Sequence, residues 1–211
     1  MLYKIALLLS ILFLSGCQGL IETEVKLSDL QSKSDKLIDG DLYIQVAGCD
    51  DYADSRKPSS SVIESQQTIP YIFKDAKYVE CFTKEFTSYT HFSLPLLITH
   101  NDTLVSNNYI HLISDNKNML SIGVPPIIKQ NIDRVKENSF GLNDIELDVK
   151  ITVKNDLNQK VDFDIISAYI NGEAVIYNSF YINPNIEFNV KLSNVSVDNA
   201  LKNGISQVLM Y

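Results

Sequence analysis

The sequence predicts an α+β fold that is mainly β, with antiparallel strands, two or three short helices, and a C-terminal half folded as a β-meander or sandwich. Residues 145–154 alternate strictly between apolar and polar side chains, which is typical of a strand with one buried face and one face in water. Asn171-Gly172 separates two apolar segments and indicates a hairpin, because both residues tolerate the positive φ of a type I′ turn. Short turns between the strands favour this arrangement over alternating strands and helices.

The first elements lead to a strand that ends at a cysteine. Residues 17–27 are expected to form a lipid-bearing cysteine and a tether, and residues 28–141 an α+β region. Leu42 to Ala47 alternate as a strand that ends at Cys49. The polar and unpatterned residues 50–58 then predict a loop.

A helix is predicted after this loop. Residues 59–61 are serines that can cap a helix whose apolar positions are Val62, Ile63, Ile69 and Phe73. Because a proline inside a helix removes a hydrogen bond and clashes with the preceding turn, we expect the helix to end near Thr68 or to kink at Pro70. Residues 77–99 then return to the alternation of a long β segment.

Two short strands and another helix complete the first half. Strands are predicted at Tyr109–Ile113 and Met119–Val124. Pro125-Pro126 fits the first turn of a helix that continues to about Glu137 on an apolar stripe of Ile128, Ile132 and Val135. No linker marks a domain boundary; the best position is near Gly141, and the alternative is one continuous domain over residues 28–211.

The C-terminal half, residues 142–211, continues with strands. After the alternating strand, residues 155–158 turn the chain and residues 161–165 alternate on the way back. Residues 186–192 predict another half-buried strand, 198–204 one or two helical turns, and 205–211 a final strand.

The N-terminal residues have the pattern of a secretory signal peptide. Lys4 precedes an apolar run from Ile5 to Leu14 of about ten residues, whereas a helix that crosses a bilayer needs about twenty. The run ends in Leu14-Ser15-Gly16-Cys17, which resembles the lipobox of bacterial lipoproteins at every position. The resemblance implies that residues 1–16 are removed and that Cys17 receives fatty acyl chains such as palmitate.

This resemblance also predicts where the protein is held. Two or more acyl chains on one residue give stable membrane anchoring, whereas one chain gives only marginal binding. In Gram-negative lipoproteins an Asp after the cysteine retains the protein in the inner membrane, and here that residue is Gln18. The resemblance therefore implies the periplasmic face of the outer membrane, with the inner membrane as one alternative and a soluble secreted protein as another.

Composition excludes two classes of partner. Removal of residues 1–16 leaves 195 residues with 17 basic and 26 acidic side chains, a net charge of −9. Because such a protein is repelled by polyanions, nucleic acid and anionic lipid surfaces are not expected partners. Apolar residues make up 45% of the chain, which is enough for a packed core.

Two cysteines remain after lipidation, and they predict a disulfide bond. In an oxidising compartment, Cys49 and Cys81 most simply pair with each other. A metal site or a redox pair is the alternative, but neither cysteine lies in a C-x-x-C motif and no histidine is near either one.

The body also resembles an uncharacterised group of lipoproteins from Gram-negative bacteria and their prophages. The matching segments are residues 23–30, 40–49, 54–59 and 76–81, which read TEVKLSDL, GDLYIQVAGC, DSRKPS and AKYVEC. This group has no assigned reaction, so the resemblance implies a compartment and a related fold, and no catalysis.

Sequence motifs for catalysis or cofactor binding are missing. The chain has no G-x-S-x-G elbow, no glycine-rich phosphate loop and no H-E-x-x-H, and we expect no cofactor and no metal site. His91, His100 and His111 are spaced without a metal-binding pattern, so ordinary strand and loop positions are expected for them. The sequence also gives no reason to select any two of its many carboxylates as the catalytic pair of a glycoside hydrolase.

Two clusters have both a functional and a structural interpretation. Asp50, Asp51 and Asp54 could bind calcium, but they lack the spacing of a known loop, and Arg56 and Lys57 are placed to neutralise them. Aromatic residues from Tyr71 to Phe92 could line a groove, although packing in the core and across strands is expected.

These observations favour an envelope lipoprotein that is not an enzyme and that binds another protein. A prophage-related role, such as exclusion of competing phage or modulation of the host envelope, follows only by analogy. A periplasmic lipoprotein that binds a small ligand between its strands is the alternative, and an unrecognised hydrolase is a third hypothesis.

Overall fold

The computed structural model describes residues 18–100, 108–138 and 146–211. It confirms the predicted fold class, because the described residues form mostly antiparallel strands and a few short helices. The signal segment, Cys17 and Gly141 lie outside the described residues. No helix among the described residues is long and apolar enough to span a membrane.

The strands and helices are numbered in chain order. The strands are β1 (Gln18–Lys26), β2 (Lys36–Val46), β3 (Lys77–Lys84), β4 (Thr87–Thr99), β5 (Ile110–Ile113), β6 (Asn118–Gly123), β7 (Glu146–Lys154), β8 (Val161–Ile170), β9 (Glu173–Ile182), β10 (Glu187–Leu192) and β11 (Ile205–Met210). The helices are α1 (Leu27–Gln31), α2 (Ser60–Ile72), α3 (Pro126–Asn138) and α4 (Asn194–Asn203).

All of these strands belong to one sheet that closes on itself. Its order is β10-β7-β1-β2-β4-β5-β6-β11-β8, and β8 pairs back with β10 to complete a ring. The remaining strands, β3 and β9, lie outside the ring and pair with β4 and β8. Strands from both sides of residue 141 therefore share one sheet and one core.

Two pairs in the ring are parallel, namely β1 with β7 and β4 with β5. β7 pairs antiparallel with β10, and β10 pairs in turn with β8. The turn at residues 155–158 therefore does not join a hairpin. A parallel neighbour needs a long connection, and more than a hundred residues separate β1 from β7 in the chain.

The segment expected to be a tether is instead strand β1. It pairs with β2 on one side and β7 on the other, from its first residue onward. Its inward positions include Gly19 and Thr23, which do not have the apolar side chains that identify a strand in sequence. Gly19 lies close to β7, because a Cβ there would be 2.8 Å from Leu147 Cδ2 and that side chain would have to move.

The core fills the inside of the ring, and the helices add apolar side chains to it. Buried strand residues such as Leu42, Phe92 and Val190 face inward. The helices contribute Leu27 and Leu30 from α1, Ile69 and Ile72 from α2, Ile128 and Ile132 from α3, and Val197 and Ala200 from α4. Each of these larger side chains stabilises the fold by roughly 1.5–3 kcal/mol when fully buried.

Helix α2 continues through Pro70, so the expected end near Thr68 is wrong. Ser59 caps the helix as predicted, because its Oγ accepts a hydrogen bond from the Val62 N–H. Pro70 lies in the last turn, where it removes only the bond to the Gln66 carbonyl. Burial of Ile69 and Ile72 on either side of Pro70 offsets that loss.

The remaining helices fit the prediction with one shift of boundary. Helix α3 starts at Pro126, and its stripe of Ile128, Ile132 and Val135 faces the core as predicted. Helix α4 begins four residues before the predicted Asp198, because Ser193 caps it by accepting a hydrogen bond from the Ser196 N–H.

The predicted long β segment at residues 77–99 is a hairpin of β3 and β4. Its turn residues, Glu85 and Phe86, have φ values of 50° and 69°. These are the left-handed conformations of a type I′ turn, for which asparagine and glycine are preferred. Since neither residue is a usual turn signal, the sequence reads as one continuous strand.

Candidate partner-binding site

The predicted disulfide is present between Cys49 and Cys81. Their Cα atoms are 5.6 Å apart, and the bond joins the loop that follows β2 to the middle of β3. Cys17, the predicted lipidation site, lies outside the described residues.

The three histidines occupy different environments. His91 lies on the outer face of β4, where its Nε2 is 2.7 Å from Asp41 Oδ1 and its ring stacks on Tyr43. His111 is fully buried in β5, and His100 follows the end of β4. Among the described residues, no three histidine, cysteine or acidic side chains lie close enough to hold a metal ion.

The acidic loop after Cys49 is neutralised by its own residues. Arg56 donates two hydrogen bonds to the Asp54 carboxylate, and Lys57 lies 3.7 Å from it. The hydrogen bonds from Arg56 lower the pKa of Asp54. Asp51 accepts hydrogen bonds from the backbone N–H groups of Ala53 and Asp54. The carboxylates are therefore used within the loop, as the basic residues in its sequence predict.

The aromatic residues of β3 and β4 pack across strands, as expected. Phe82 and Tyr89 are paired neighbours with ring centroids 5.8 Å apart, and Phe82 also meets Tyr43 edge to face. Burial raises the pKa of Tyr43, and three nearby carboxylates, those of Asp41, Glu22 and Glu80, raise it further. This half-buried cluster stabilises the outer face of the sheet.

The interior cavity between the helices and the sheet is too small for a ligand. It has a volume of about 20 Å³ and is lined by apolar side chains such as Ile21, Phe73 and Ile128. Sites for small molecules are usually several hundred cubic ångströms. This cavity, which is lined by described residues, therefore gives no support to the alternative of a ligand bound inside the ring.

Two larger grooves lie on the surface. One, of about 420 Å³, separates α3 from α4, and its Lys129 and Lys202 are paired with Asp133 and Asp198. The other, of about 520 Å³, lies on the outer face beside the β8–β9 turn, and its lining residues are Lys150, Tyr169, Asn171, Gly172, Asn189, Lys191 and Asn194. Both lysines in the second groove already form ion pairs, with Glu22 and Asp148.

The hairpin of β8 and β9 carries a surface of a different kind. Its turn is the predicted Asn171-Gly172, whose φ values of 48° and 93° confirm a left-handed turn. β9 pairs with β8 from Glu173 to Ile182, and β8 is its only partner among the described strands. One edge of β9 therefore presents backbone N–H and C=O groups that no described strand occupies.

Several large apolar side chains of β9 are exposed. Ile176 is 89% exposed, and Tyr177 and Tyr181 are each 61% exposed. The strand has a single charged residue, Glu173, at its first position, and it contains no proline or lysine. Strands at sheet edges are usually protected by such residues, so β9 is an unprotected edge. We call the strand Glu173–Ile182 with its free edge the β9 edge.

The exposed tyrosines of the β9 edge are held in fixed positions. Asp164 on β8 accepts hydrogen bonds from Tyr177 Oη at 2.8 Å and Ser179 Oγ at 2.6 Å. These bonds lower the pKa of Asp164, and the bond to Asp164 raises the pKa of Tyr177. Lys160 lies 4.2 Å above the ring of Tyr181. The two tyrosine rings are thus held in fixed orientations, and ordered side chains lose less entropy in an interface.

The inner face of β9 fixes the strand to the body at one end. Ile182 is buried, and Phe180 stacks on Phe163, which in turn stacks on Phe188. Nearer the turn, Asn178 and Ile176 are exposed. The β9 edge therefore extends beyond the core that supports it.

Sequence reasoning located this hairpin but not its free edge. The turn signal and the apolar strand after it were recognisable. The signal that could have marked the edge is the near absence of charge in EAVIYNSFYI, in contrast to the regular polar alternation of ELDVKITVK in β7.

Comparison with known proteins gives one match. A family model described as a domain of unknown function (DUF7424) matches residues 19–211, which include every described residue except Gln18. No curated protein and no solved structure matches the chain.

Proposed function

We propose that this chain, which belongs to the DUF7424 family, is a lipid-anchored protein of the bacterial envelope that acts by binding another protein and not by catalysis. The lipobox ending at Cys17 supports the anchor and the periplasmic face of the outer membrane. A prophage-related role in phage exclusion or envelope modulation belongs to the same proposal and rests on the resemblance alone.

The observation that carries the proposal is the β9 edge. An extended segment of a partner can add to this edge as a further strand, with main-chain hydrogen bonds supplying affinity. Ile176, Tyr177 and Tyr181 then contact the alternate side chains of that segment and select its sequence. Aromatic side chains are enriched among the residues that dominate binding energy, so two fixed tyrosines are suitable anchors.

The chemistry of the described residues favours binding over catalysis. His91 is the histidine with a carboxylate partner, and no nucleophile forms a hydrogen bond to it within the described ranges. The hydroxyl groups of Tyr177 and Ser179 both donate to the Asp164 carboxylate. With no histidine beside them, these groups lack the base that a hydrolase uses to activate its nucleophile.

Site-specific cross-linking in intact cells tests this function. A photo-reactive amino acid is placed at position 176 on the β9 edge and, as a control, at position 79 on β3, where the native Val79 is 51% exposed. We expect adducts with an envelope protein from position 176 and none from position 79. Equal adducts from both positions, or none from the β9 edge, would contradict the proposal.

A charge substitution tests the role of the edge itself. Ile176→Lys places a charge where a partner strand would pack, and Val79→Lys is the matched control on the other outer strand. Both side chains are exposed, so both variants should remain folded. We expect Ile176→Lys to reduce cross-linking from position 181 by about tenfold or more, because loss of one anchor costs at least 1.4 kcal/mol. An unchanged yield would exclude pairing through this edge.

A further inference from the structure

The end of the sheet at which β1 begins carries a fully exposed aromatic side chain, Phe86, and the loop that follows β2 carries a second, Tyr52. We propose that this end of the body rests directly on the bilayer, and that Phe86 enters the lipid interface beside the acylated Cys17. The inference rests on the lipid anchor of the proposed function and adds an orientation and a second membrane contact.

The first step is the absence of a spacer between the anchor and the fold. Gln18 is already paired with Glu146 of β7, and Gly19 is paired with Ile44 of β2. Cys17 is joined to Gln18 by one peptide bond, so the two Cα atoms are about 3.8 Å apart. An acyl group on Cys17 therefore holds the sheet against the membrane with no tether to separate them.

The second step is the register of the neighbouring strands. Gly19 lies opposite Ile44, and Ile44 lies opposite Thr90 of β4. From that level the β3–β4 hairpin continues to its turn at Glu85 and Phe86, which places Phe86 about 10 Å beyond Gln18 along the strands. The hairpin tip lies about two strand spacings, or about 10 Å, to the side of β1. Phe86 thus projects on the side from which the chain enters β1.

The third step is that nothing within the described chain accounts for Phe86. Its side chain is fully exposed, and its φ of 69° is one that an aromatic residue rarely adopts. The tip is nevertheless ordered, since Lys84 pairs with Thr87 and the hydroxyls of Thr83 and Ser88 are 2.8 Å apart. An ordered hairpin that presents an aromatic ring to the outside is suited to the membrane interface, where such rings are enriched.

Tyr52 adds a second aromatic contact at this end. It lies in the loop that follows β2, and the loop is closed by an Asp50–Pro58 bridge and a hydrogen bond from Asp51 N to Lys57 O. The Cys49–Cys81 disulfide ties the start of this loop to β3. Both exposed aromatic residues are therefore attached to one disulfide-linked unit.

Charge identifies the kind of lipid surface. The groove beside Gln18 and Glu146 contains three lysines and four acidic residues, namely Lys129, Lys136, Lys202, Asp133, Glu146, Asp148 and Asp198. Arg56 and Lys57 in the Tyr52 loop are paired with Asp54. These described residues give no excess of positive charge to attract anionic headgroups, so the expected surface is zwitterionic lipid.

Tryptophan fluorescence tests the orientation, because the chain has no tryptophan of its own. Full-length lipidated protein with Phe86→Trp is placed in phosphatidylcholine vesicles, with and without brominated acyl chains that quench indole. Leu37→Trp is the matched control: Leu37 is 54% exposed at the opposite end of β2, and its partner Leu97 is about 35 Å along β4 from the hairpin tip. Tyr52→Trp gives an independent reading if Phe86→Trp does not fold.

We expect Trp emission from the Phe86→Trp protein to shift to the blue and to lose most of its intensity with brominated lipid, while the Leu37→Trp protein keeps the emission of an indole in water. Replacing phosphatidylcholine partly by phosphatidylglycerol should not increase the quenching. Flotation of the vesicles separates the two proposals, because failure to float contradicts the anchor itself. Protein that floats but shows no quenching in the Phe86→Trp and Tyr52→Trp variants, or equal quenching in Leu37→Trp, would overturn the orientation.

Discussion

The two strands outside the ring, β3 and β9, have the same place in the topology and opposite chemistry. Each pairs with one described strand. β3 carries Lys77, Glu80 and Lys84, and its pairing has an irregularity between Tyr78 and Glu80. The Cys49–Cys81 disulfide also joins it to the loop that follows β2. β9 has one charged residue, at its first position, and contains no cysteine that could form a disulfide. Its pairing with β8 shows no bulge.

The difference separates an edge that is closed to other chains from one that is open to them. Charged side chains and bulges on an outer strand prevent pairing with another strand, at some cost in packing. β3 has these features and β9 does not, although both strands are equally available by topology. The open edge of β9, in contrast to the protected edge of β3, is the feature that the proposed protein partner would use.

The largest effect is expected from removing the disulfide that holds β3. Cys49→Ser with Cys81→Ser releases a loop closed over a sequence separation of 32 residues. In the chain-entropy model this lowers the free energy of unfolding by about 3.5–4 kcal/mol. Urea denaturation without reductant measures the loss, and wild-type protein with reductant is the control. An unchanged midpoint would contradict a stabilising role for the bond.

The next effect compares the turns of the two outer hairpins. Gly172→Ala places a side chain at a φ of 93°, and it should lower the free energy of unfolding by about 1–2 kcal/mol although space is open around it. Phe86→Gly relieves a φ of 69° and removes no buried surface, so it should raise the same quantity by about 0.5–1 kcal/mol. Thermal or urea unfolding measures both. If both substitutions raised the free energy of unfolding, or both lowered it, this account of the turns would be wrong.

These turns also illustrate what the sequence can predict. Asn171-Gly172 is a local signal, so the β8–β9 hairpin was predictable. Glu85 and Phe86 adopt the same conformations without the usual residues, because their turn is fixed by pairing of β3 with β4 and by the nearby disulfide. Local composition therefore identified one hairpin and missed the other.

The candidate site depends on contacts between distant parts of the chain. That β9 has a free edge follows from the pairing of β8 with β10 and β11, which no short segment encodes. Strand β1 was missed for a related reason: Gly19 lies close to the Leu147 side chain, and Thr23 donates a hydrogen bond to Asp39 O. Both residues serve tertiary contacts that the alternation of apolar residues does not record.

A smaller effect on stability is expected when β3 is given the composition of β9. Glu80→Tyr with Lys84→Ile changes two exposed residues, so the free energy of unfolding should change by less than about 0.5 kcal/mol. We expect the variant to associate as its concentration rises, because it keeps a charge only at its first residue, Lys77, as β9 does at Glu173. Analytical ultracentrifugation measures this, and Glu80→Gln with Lys84→Gln is the matched control. A monomeric apolar variant would mean that the bulge and the disulfide protect β3 by themselves.

The smallest effect concerns the hydrogen bonds that orient the β9 edge. Tyr177 and Ser179 hold the pKa of Asp164 below its ordinary value, so the folded state binds fewer protons at this group than the unfolded state. Its contribution to stability is complete above the unfolded pKa of about 3.9 and is lost as pH falls through the lower folded pKa. NMR titration of the Asp164 carboxyl should give a higher pKa in Ser179→Ala than in wild type, while Ser179→Thr, which keeps the hydroxyl, should stay close to wild type. The same pKa in all three proteins would mean that the Ser179 hydroxyl does not hold the Asp164 carboxylate, and the hydrogen bond from Tyr177 to Asp164 would then lack the second donor that supports it.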